Sequence, residues 1–92
     1  MRRVHIIVKG LVQGIGFRYF AERQAQFLGV VGWVRNNYSG EVELTAEGDD
    51  EVIAKFVEMM RKGPSHAQVQ DVILNEREYI GEFNCFDIYP TE

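Results

Sequence analysis

Gly10-Leu11-Val12-Gln13-Gly14-Ile15-Gly16-Phe17-Arg18 is the stretch on which the rest of this chain is organised. An apolar alternation (Val4, Ile6, Val8) precedes it and an amphipathic run from Tyr19 to Leu28 follows, so it reads as the turn from a strand into a helix. Three glycines within seven positions let the backbone curl tightly and gather several N–H groups into one concavity. Arg18 stands where the helix begins. Backbone donors, a helix N-terminus and a guanidinium together suit a phosphate group. Strand-to-helix turns also use glycine for geometry alone, and at this point both readings stand.

Downstream, Phe17, Phe20, Ala21, Ala25 and Leu28 form one helical stripe that stops at Gly29. Val30-Val31-Gly32-Trp33-Val34-Arg35 predicts a second strand, and Asn36-Asn37-Tyr38-Ser39-Gly40 a loop. In the third strand Val42, Leu44 and Ala46 point one way, and Glu41, Glu43, Thr45 and Glu47 the other, as in a hairpin with one solvated face. After Gly48-Asp49-Asp50, a turn and N-cap, Val52, Ile53, Phe56, Val57 and Met60 make the clearest helical stripe, closed by Arg61, Lys62 and Gly63-Pro64. Met59 is expected at the helix surface and Met60 in the core. Ala67, Val69, Val72 and Leu74 predict a fourth strand with a bulge near Asp71; Asn75 to Glu82 reads as loop. Phe86 and Ile88 mark a short closing strand ended by Pro90. The order βαββαβ plus a terminal strand predicts a ferredoxin-like α/β sandwich, with one mainly antiparallel sheet and both helices on one face.

At 92 residues the chain is expected to form one domain over 1–92, large enough for one hydrophobic core. Its apolar runs are too short for a transmembrane helix and no signal peptide is evident. The single Cys85 excludes an intramolecular disulfide, and a cytoplasmic, monomeric protein is the expectation. A net charge of −4 argues against broad nucleic-acid or membrane-surface binding, but leaves room for a small anion held by local donors. RNA binding through the sheet is also disfavoured by acidic Glu41-Val42-Glu43 and by the lack of an aromatic RNP-type run.

Several chemistries fail on residue type. There is no Gly-x-x-x-x-Gly-Lys-Ser/Thr, and Gly14-Ile15-Gly16-Phe17-Arg18-Tyr19 lacks the third glycine of a dinucleotide fingerprint. His5 and His66 have no partners at metal-ligand spacing, so no metal site is expected. Cys85 lacks the following arginine of a cysteine-dependent phosphatase loop and is expected to pack as a small apolar residue. Glu41, Glu43 and Glu47 read as a solvated face rather than catalytic carboxylates. Asn36 is an ordinary turn former, yet its amide could hold a water if the second strand ends near the glycine turn.

Taken together, Gly10 to Arg18 resembles the first acylphosphatase signature and Gly32-Trp33-Val34-Arg35-Asn36 the second. The resemblance extends through Gly29-Val30-Val31, Gly63-Pro64-Ser65-x-Ala67-x-Val69 and Phe86-x-Ile88. Leu11 departs from the basic residue of many members, Ile15 from a common valine, and Pro90 from a terminal aromatic, with Tyr89 shifted one place. The last departure bears on C-terminal packing.

The resemblance implies a hydrolase that splits acyl phosphates into carboxylate and inorganic phosphate, without cofactor or metal. It implies that Arg18 and the backbone N–H groups of Gln13, Gly14, Ile15, Gly16, Phe17 and Arg18 bind the phosphate, and that Asn36 orients the attacking water. Acyl phosphates carry a good leaving group, so positioning and charge stabilisation suffice. Acylphosphatase-like domains also occur inside larger carbamoyl-phosphate-using maturation proteins; the absence of a linker leads us to expect the free-standing enzyme rather than an accessory phosphate-binding module. The residues do not distinguish acetyl, carbamoyl or bisphosphoglycerate substrates.

Overall fold

The computed structural model describes residues 1–92, and its elements follow the alternations in the sequence. Strand β1 (Arg2–Leu11) buries Val4, Ile6 and Val8 and leaves the residues between them partly exposed. Helix α1 (Phe17–Leu28) begins after Gly16 and ends at Gly29, whose N–H caps the Ala25 carbonyl. Strands β2 (Val31–Asn36) and β3 (Val42–Gly48) follow, then helix α2 (Asp50–Lys62), strand β4 (Gln68–Arg77) and the short β5 (Phe86–Ile88). Acidic Asp50 and Glu51 occupy the first turn of α2, and Arg61 and Lys62 its last, matching the helix dipole at both ends. Asp49 is its N-cap residue but makes no capping bond through its side chain. Neither helix is long and apolar enough to cross a membrane.

The strands form one sheet in the order β4-β1-β3-β2-β5. All neighbours are antiparallel except β2 and β5. Phe17, Ala21 and Ala25 of α1 and Ile53, Phe56, Val57 and Met60 of α2 share a single core with Val4, Ile6, Val8, Val34, Val42, Leu44 and Ala46 of the sheet. Both helices therefore cover one face, as the ferredoxin-like expectation required. The bulge also appears: Lys9 pairs with Asp71 and Gly10 with Val69, which leaves Gln70 as the extra residue.

Beyond β5 the chain keeps following β2. The Tyr89 N–H donates to Val34 O at 2.8 Å, the Glu92 N–H to Asn36 O at 3.0 Å, and the Tyr38 N–H to Glu92 O at 3.0 Å. Tyr89 stacks on Trp33 with ring centroids 5.3 Å apart, and the Arg35 guanidinium lies over the other aromatic partner, Trp33, at 5.0 Å.

Three expectations are corrected. Strand β4 continues through Asn75, Glu76 and Arg77, because β1 supplies partners for all three. The face of β3 opposite the helices is polar but not wholly solvated: Thr45 is buried and Glu47 is 0% exposed. Cys85 is exposed rather than packed, and its thiol donates to the Asp87 carboxylate at 3.4 Å, which together with slight desolvation raises its pKa.

Glu47 accounts for the second correction. Its Oε2 accepts from Arg3 Nη1 at 3.0 Å, from the Ile80 N–H at 3.1 Å and from the Gly81 N–H at 3.3 Å. Arg3 in turn pairs with Glu82 at 2.7 Å and lies over the Phe83 ring. The carboxylate thus pins the segment after β4 across the sheet, and that segment covers it. Burial by itself pushes the Glu47 carboxyl up, but the Ile80 N–H, the Arg3 guanidinium and the Gly81 N–H outweigh it and hold the group below its usual value.

Gly32 shows why a strand interior carries a glycine. Its φ is +144°, and a Cβ there would stand 1.9 Å from the Thr45 carbonyl oxygen on the neighbouring strand. Gly32→Ala should therefore destabilise the protein by ~3 kcal/mol, the upper range for overpacking, and lower the melting midpoint by roughly 12–24 °C. An unchanged midpoint in calorimetry would contradict this close approach. A depressed carboxylate stabilises the fold above its unfolded pKa, and that contribution is lost as pH falls through the folded value. Stability should accordingly decline on acidification below about 4.5, the ordinary Glu value. Glu47→Gln should cost about 2 kcal/mol near neutral pH and flatten that acid limb, as measured by urea unfolding across pH.

Candidate functional site

The turn after β1 is a row of unused donors. No backbone N–H from Gln13 through Tyr19 donates to a protein acceptor; the first helical bond here runs from Phe20 N–H to Gly16 O. Some of this is inherent in a helix start, whose first N–H groups lack intrahelical partners. The rest comes from the loop itself, where Gly14 and Gly16 take φ of +76° and +83°. A Cβ at either would touch nothing within 4 Å, so the backbone conformation, not crowding, calls for glycine.

The side chains of this turn divide. Phe17 is buried in the core, edge-on to Phe20, and Ile15 packs against the same core. Both contribute to the turn only through their backbones. The Gln13 amide donates from Nε2 to Asn37 O at 2.7 Å and to Glu41 O at 2.8 Å. It ties the glycine turn to the loop between β2 and β3, a role that residue type alone does not reveal.

Gly14, Gly16, Arg18, Tyr19, Asn36 and Ile88 line one cleft of about 240 Å³. Alone among the arginines, Arg18 makes neither a hydrogen bond nor an ion pair with another residue; the others are engaged by Glu76, Glu47, Glu82, Tyr19, Glu43, Glu92, Glu58 or a backbone carbonyl. Asn36 ends β2 and is only 8% exposed, and its buried Oδ1 has no hydrogen-bond partner. A buried amide oxygen ordinarily finds a donor, and leaving one unmet costs on the order of 1–3 kcal/mol. Its backbone is held by Val42 of β3 on one side and by Glu92 on the other.

The expected site residues are therefore distributed as follows. Gly14, Gly16, Arg18 and Asn36 meet in the cleft, Gln13 braces it from the side, and Ile15 and Phe17 turn their side chains away. Tyr19 and Ile88 line the cleft without having been singled out from the sequence. Tyr19 could have been found by its adjacency to Arg18. Ile88 could not, because its place depends on the parallel pairing of β5 with β2, where Ile88 faces Val34. No cluster of three or more His, Cys, Asp or Glu side chains has metal-binding geometry. His5 pairs instead with Glu43 at 2.6 Å, and Arg35 holds the other oxygen of that carboxylate at 2.8 Å. Burial raises the Glu43 carboxyl, but hydrogen bonds from His5 and Arg35 bring it below its usual value.

Comparison with known proteins gives a consistent result. The family model described as Acylphosphatase matches residues 4–88. An acylphosphatase of Moorella thermoacetica is 48% identical over 80 residues, covering 87% of this chain and 86% of the relative. The crystal structure of acylphosphatase from Bacillus subtilis superposes with a TM-score of 0.93 at 37% identity, covering 97% of this chain and 99% of that one. Full-length HypF, in its phosphate- and nucleotide-bound form, matches with a TM-score of 0.88 at 30% identity over 98% of this chain but only 12% of its own.

Proposed function

Because the chain belongs to the acylphosphatase family, we propose that its cleft hydrolyses the carboxyl–phosphate bond of acyl phosphates through Arg18, Asn36 and the backbone of the glycine turn. The carrying observation is the convergence of unpartnered polar groups: free N–H donors from Gln13 to Arg18, an unpaired guanidinium at Arg18 and an unmet acceptor, the amide oxygen of Asn36, with the cleft between them. Residues 1–92 are taken as one catalytic unit.

The division of labour follows from donor chemistry. The N–H groups of Gln13, Gly14, Ile15, Gly16, Phe17 and Arg18 and the Arg18 fork supply donors only, which suits the phosphoryl oxygens. Asn36 offers both an acceptor and donors, which suits a water molecule that must be held with its lone pair towards phosphorus. Water oxygen bonds to phosphorus as the bridging P–O bond breaks, and the electron pair leaves with the carboxylate. A phosphoryl oxygen takes the water proton, so inorganic phosphate is released without a protein base. The carboxylate is a stable leaving group and needs no general acid. The barrier is lowered mainly by positioning and by countering charge on the equatorial oxygens. No metal ion is needed in this scheme, because Arg18 and the backbone dipoles take the charge-neutralising part.

Steady-state hydrolysis of benzoyl phosphate and acetyl phosphate, with and without a chelator, tests the reading. Turnover that survives chelation is expected; binding of phosphate with no turnover would instead favour an accessory module, the alternative raised by the likeness to one part of the much longer HypF chain. Arg18→Lys should lower kcat/KM at least about 100-fold, since an ammonium cannot reproduce the two-pronged contact, and should weaken competitive inhibition by inorganic phosphate. Near-normal turnover of that variant would sink the assignment. Asn36→Ala should reduce kcat by on the order of 10²–10³ while largely sparing phosphate inhibition; the opposite pattern would move Asn36 from the water to the phosphate.

A further inference from the structure

The amide of Asn36 is aimed by its backbone, because its buried Oδ1 meets no protein donor. What fixes that backbone comes from the far end of the chain. The Asn36 carbonyl accepts from the Glu92 N–H at 3.0 Å. We propose that Glu92 is a positioning residue for Asn36, acting through its backbone on the strand end that carries the amide. The inference rests on the acyl-phosphate reading above and adds the element that holds its water-orienting group.

Glu92 grips the strand end in two places. Its N–H donates to Asn36 O, and its carbonyl accepts from the Tyr38 N–H, also at 3.0 Å. Asn37, between them, is tied elsewhere: its N–H donates to Glu41 O at 2.8 Å, and its carbonyl accepts from Gln13 Nε2 at 2.7 Å. Val34, Asn36 and Tyr38 therefore turn backbone groups towards the C-terminal residues, and Asn37 turns away from them. Tyr38, Ser39 and Gly40 are exposed, so hydrogen bonds rather than packing hold the chain just after Asn36. Without Glu92 both the Asn36 carbonyl and the Tyr38 N–H lose the partner on that side.

Strand β2 in turn places Glu92. Arg35 Nη1 pairs with the Glu92 carboxylate at 2.7 Å, while Arg35 Nη2 and Nε hold Glu43 at 2.8 and 3.1 Å. The ring of Tyr89 stacks on Trp33 three residues earlier. The Glu92 side chain is 75% exposed, so its ion pair contributes little and the two backbone bonds carry the effect. Residues 89–92 lie outside the stretch 4–88 that matches the family model, so the brace rests on contacts of this chain rather than on the shared pattern.

The consequence for the reaction is selective. A water must meet phosphorus in line with the departing oxygen, and a misplacement of ~1 Å can cost on the order of 10²-fold in rate. Phosphate binding depends instead on Arg18 and the glycine turn, to which Glu92 makes no hydrogen bond. Positioning by Glu92 thus acts on turnover and not on phosphate affinity.

Glu92→Pro tests this, since proline has no N–H to offer Asn36 O. With benzoyl phosphate, kcat should fall about tenfold while inhibition by inorganic phosphate stays within about twofold of wild type. Glu92→Gln keeps the N–H and should restore kcat to within about twofold. Tyr89→Ala loosens the same run by removing the Trp33 stack; it should lower kcat about threefold, again sparing phosphate inhibition, and stands in if calorimetry shows that Glu92→Pro folds poorly. Three results overturn the positioning role while the acyl-phosphate reading survives: unchanged kcat in the folded variant, kcat and phosphate inhibition declining together, or Glu92→Gln as slow as Glu92→Pro. A folded wild-type protein inert towards acyl phosphates would overturn the underlying reading, and this inference with it.

Discussion

Everything at the cleft depends on β3 lying between β1 and β2. Val42 pairs with Val8 on one side and with Asn36 on the other, so the three residues form one row across the sheet. Because β3 runs antiparallel to both neighbours, β1 and β2 run the same way and finish at the same end. Two strand spacings, about 10 Å, then separate the exit of β1 from the last residue of β2. The glycine turn leaves from one and Asn36 stands on the other. Gln13 closes the remaining distance through its bonds to Asn37 and Glu41. A sheet with β1 directly beside β2 would place the same two motifs side by side and leave less room for a ligand.

The site is assembled from what folding leaves unsatisfied. On the face of the sheet away from the helices, charges are consumed by one another: Arg3 by Glu47 and Glu82, His5 and Arg35 by Glu43, Lys9 by Glu41. The Arg3 pairs knit the sheet to the segment after β4, and a further pair, Arg35 with Glu92, ties it to the C-terminal residues. Around Arg18, a guanidinium, a row of N–H groups and a buried amide oxygen face no protein partner and converge on one cleft. An acidic protein can hold an anion under those conditions, since a few convergent donors at contact distance outweigh screened charges farther away.

Much of this was legible in the sequence, and the exceptions share a cause. Alternation in Val4, Ile6 and Val8, and in Val42, Leu44 and Ala46, identifies the core face because side chains of a strand must point to opposite sides. The glycine turn and Asn36 were legible as candidates because the residues themselves limit what the backbone and side chain can do. Alternation says which way Glu47 points, but not that the chain at Ile80 and Gly81 returns to cover it. Cys85 reads as a small apolar residue, yet the residues around it leave it outside. Ile88 reaches the cleft only through a pairing between segments 54 residues apart. What local pattern misses is what a distant segment later places on top of it.

The run of chain from β5 to Glu92 has a consequence for how copies of this protein meet. Without it, β2 would be an outer strand with a bare row of N–H and C=O groups, a template for pairing with another chain. Residues Cys85, Tyr89 and Glu92 occupy that row, and the Trp33–Tyr89 stack and the Arg35–Glu92 pair clasp them in place. The other border of the sheet, β4, is interrupted by the extra residue at Gln70 and flanked by the charges of Asp71, Glu76 and Arg77. One margin is sealed and the other is kinked and charged, so the sheet resists growing by recruitment of a second molecule. Loosening the last few residues would expose the β2 margin, with Val31, Trp33 and Val34 along it, and turn a self-contained sheet into a nucleus for misassembly.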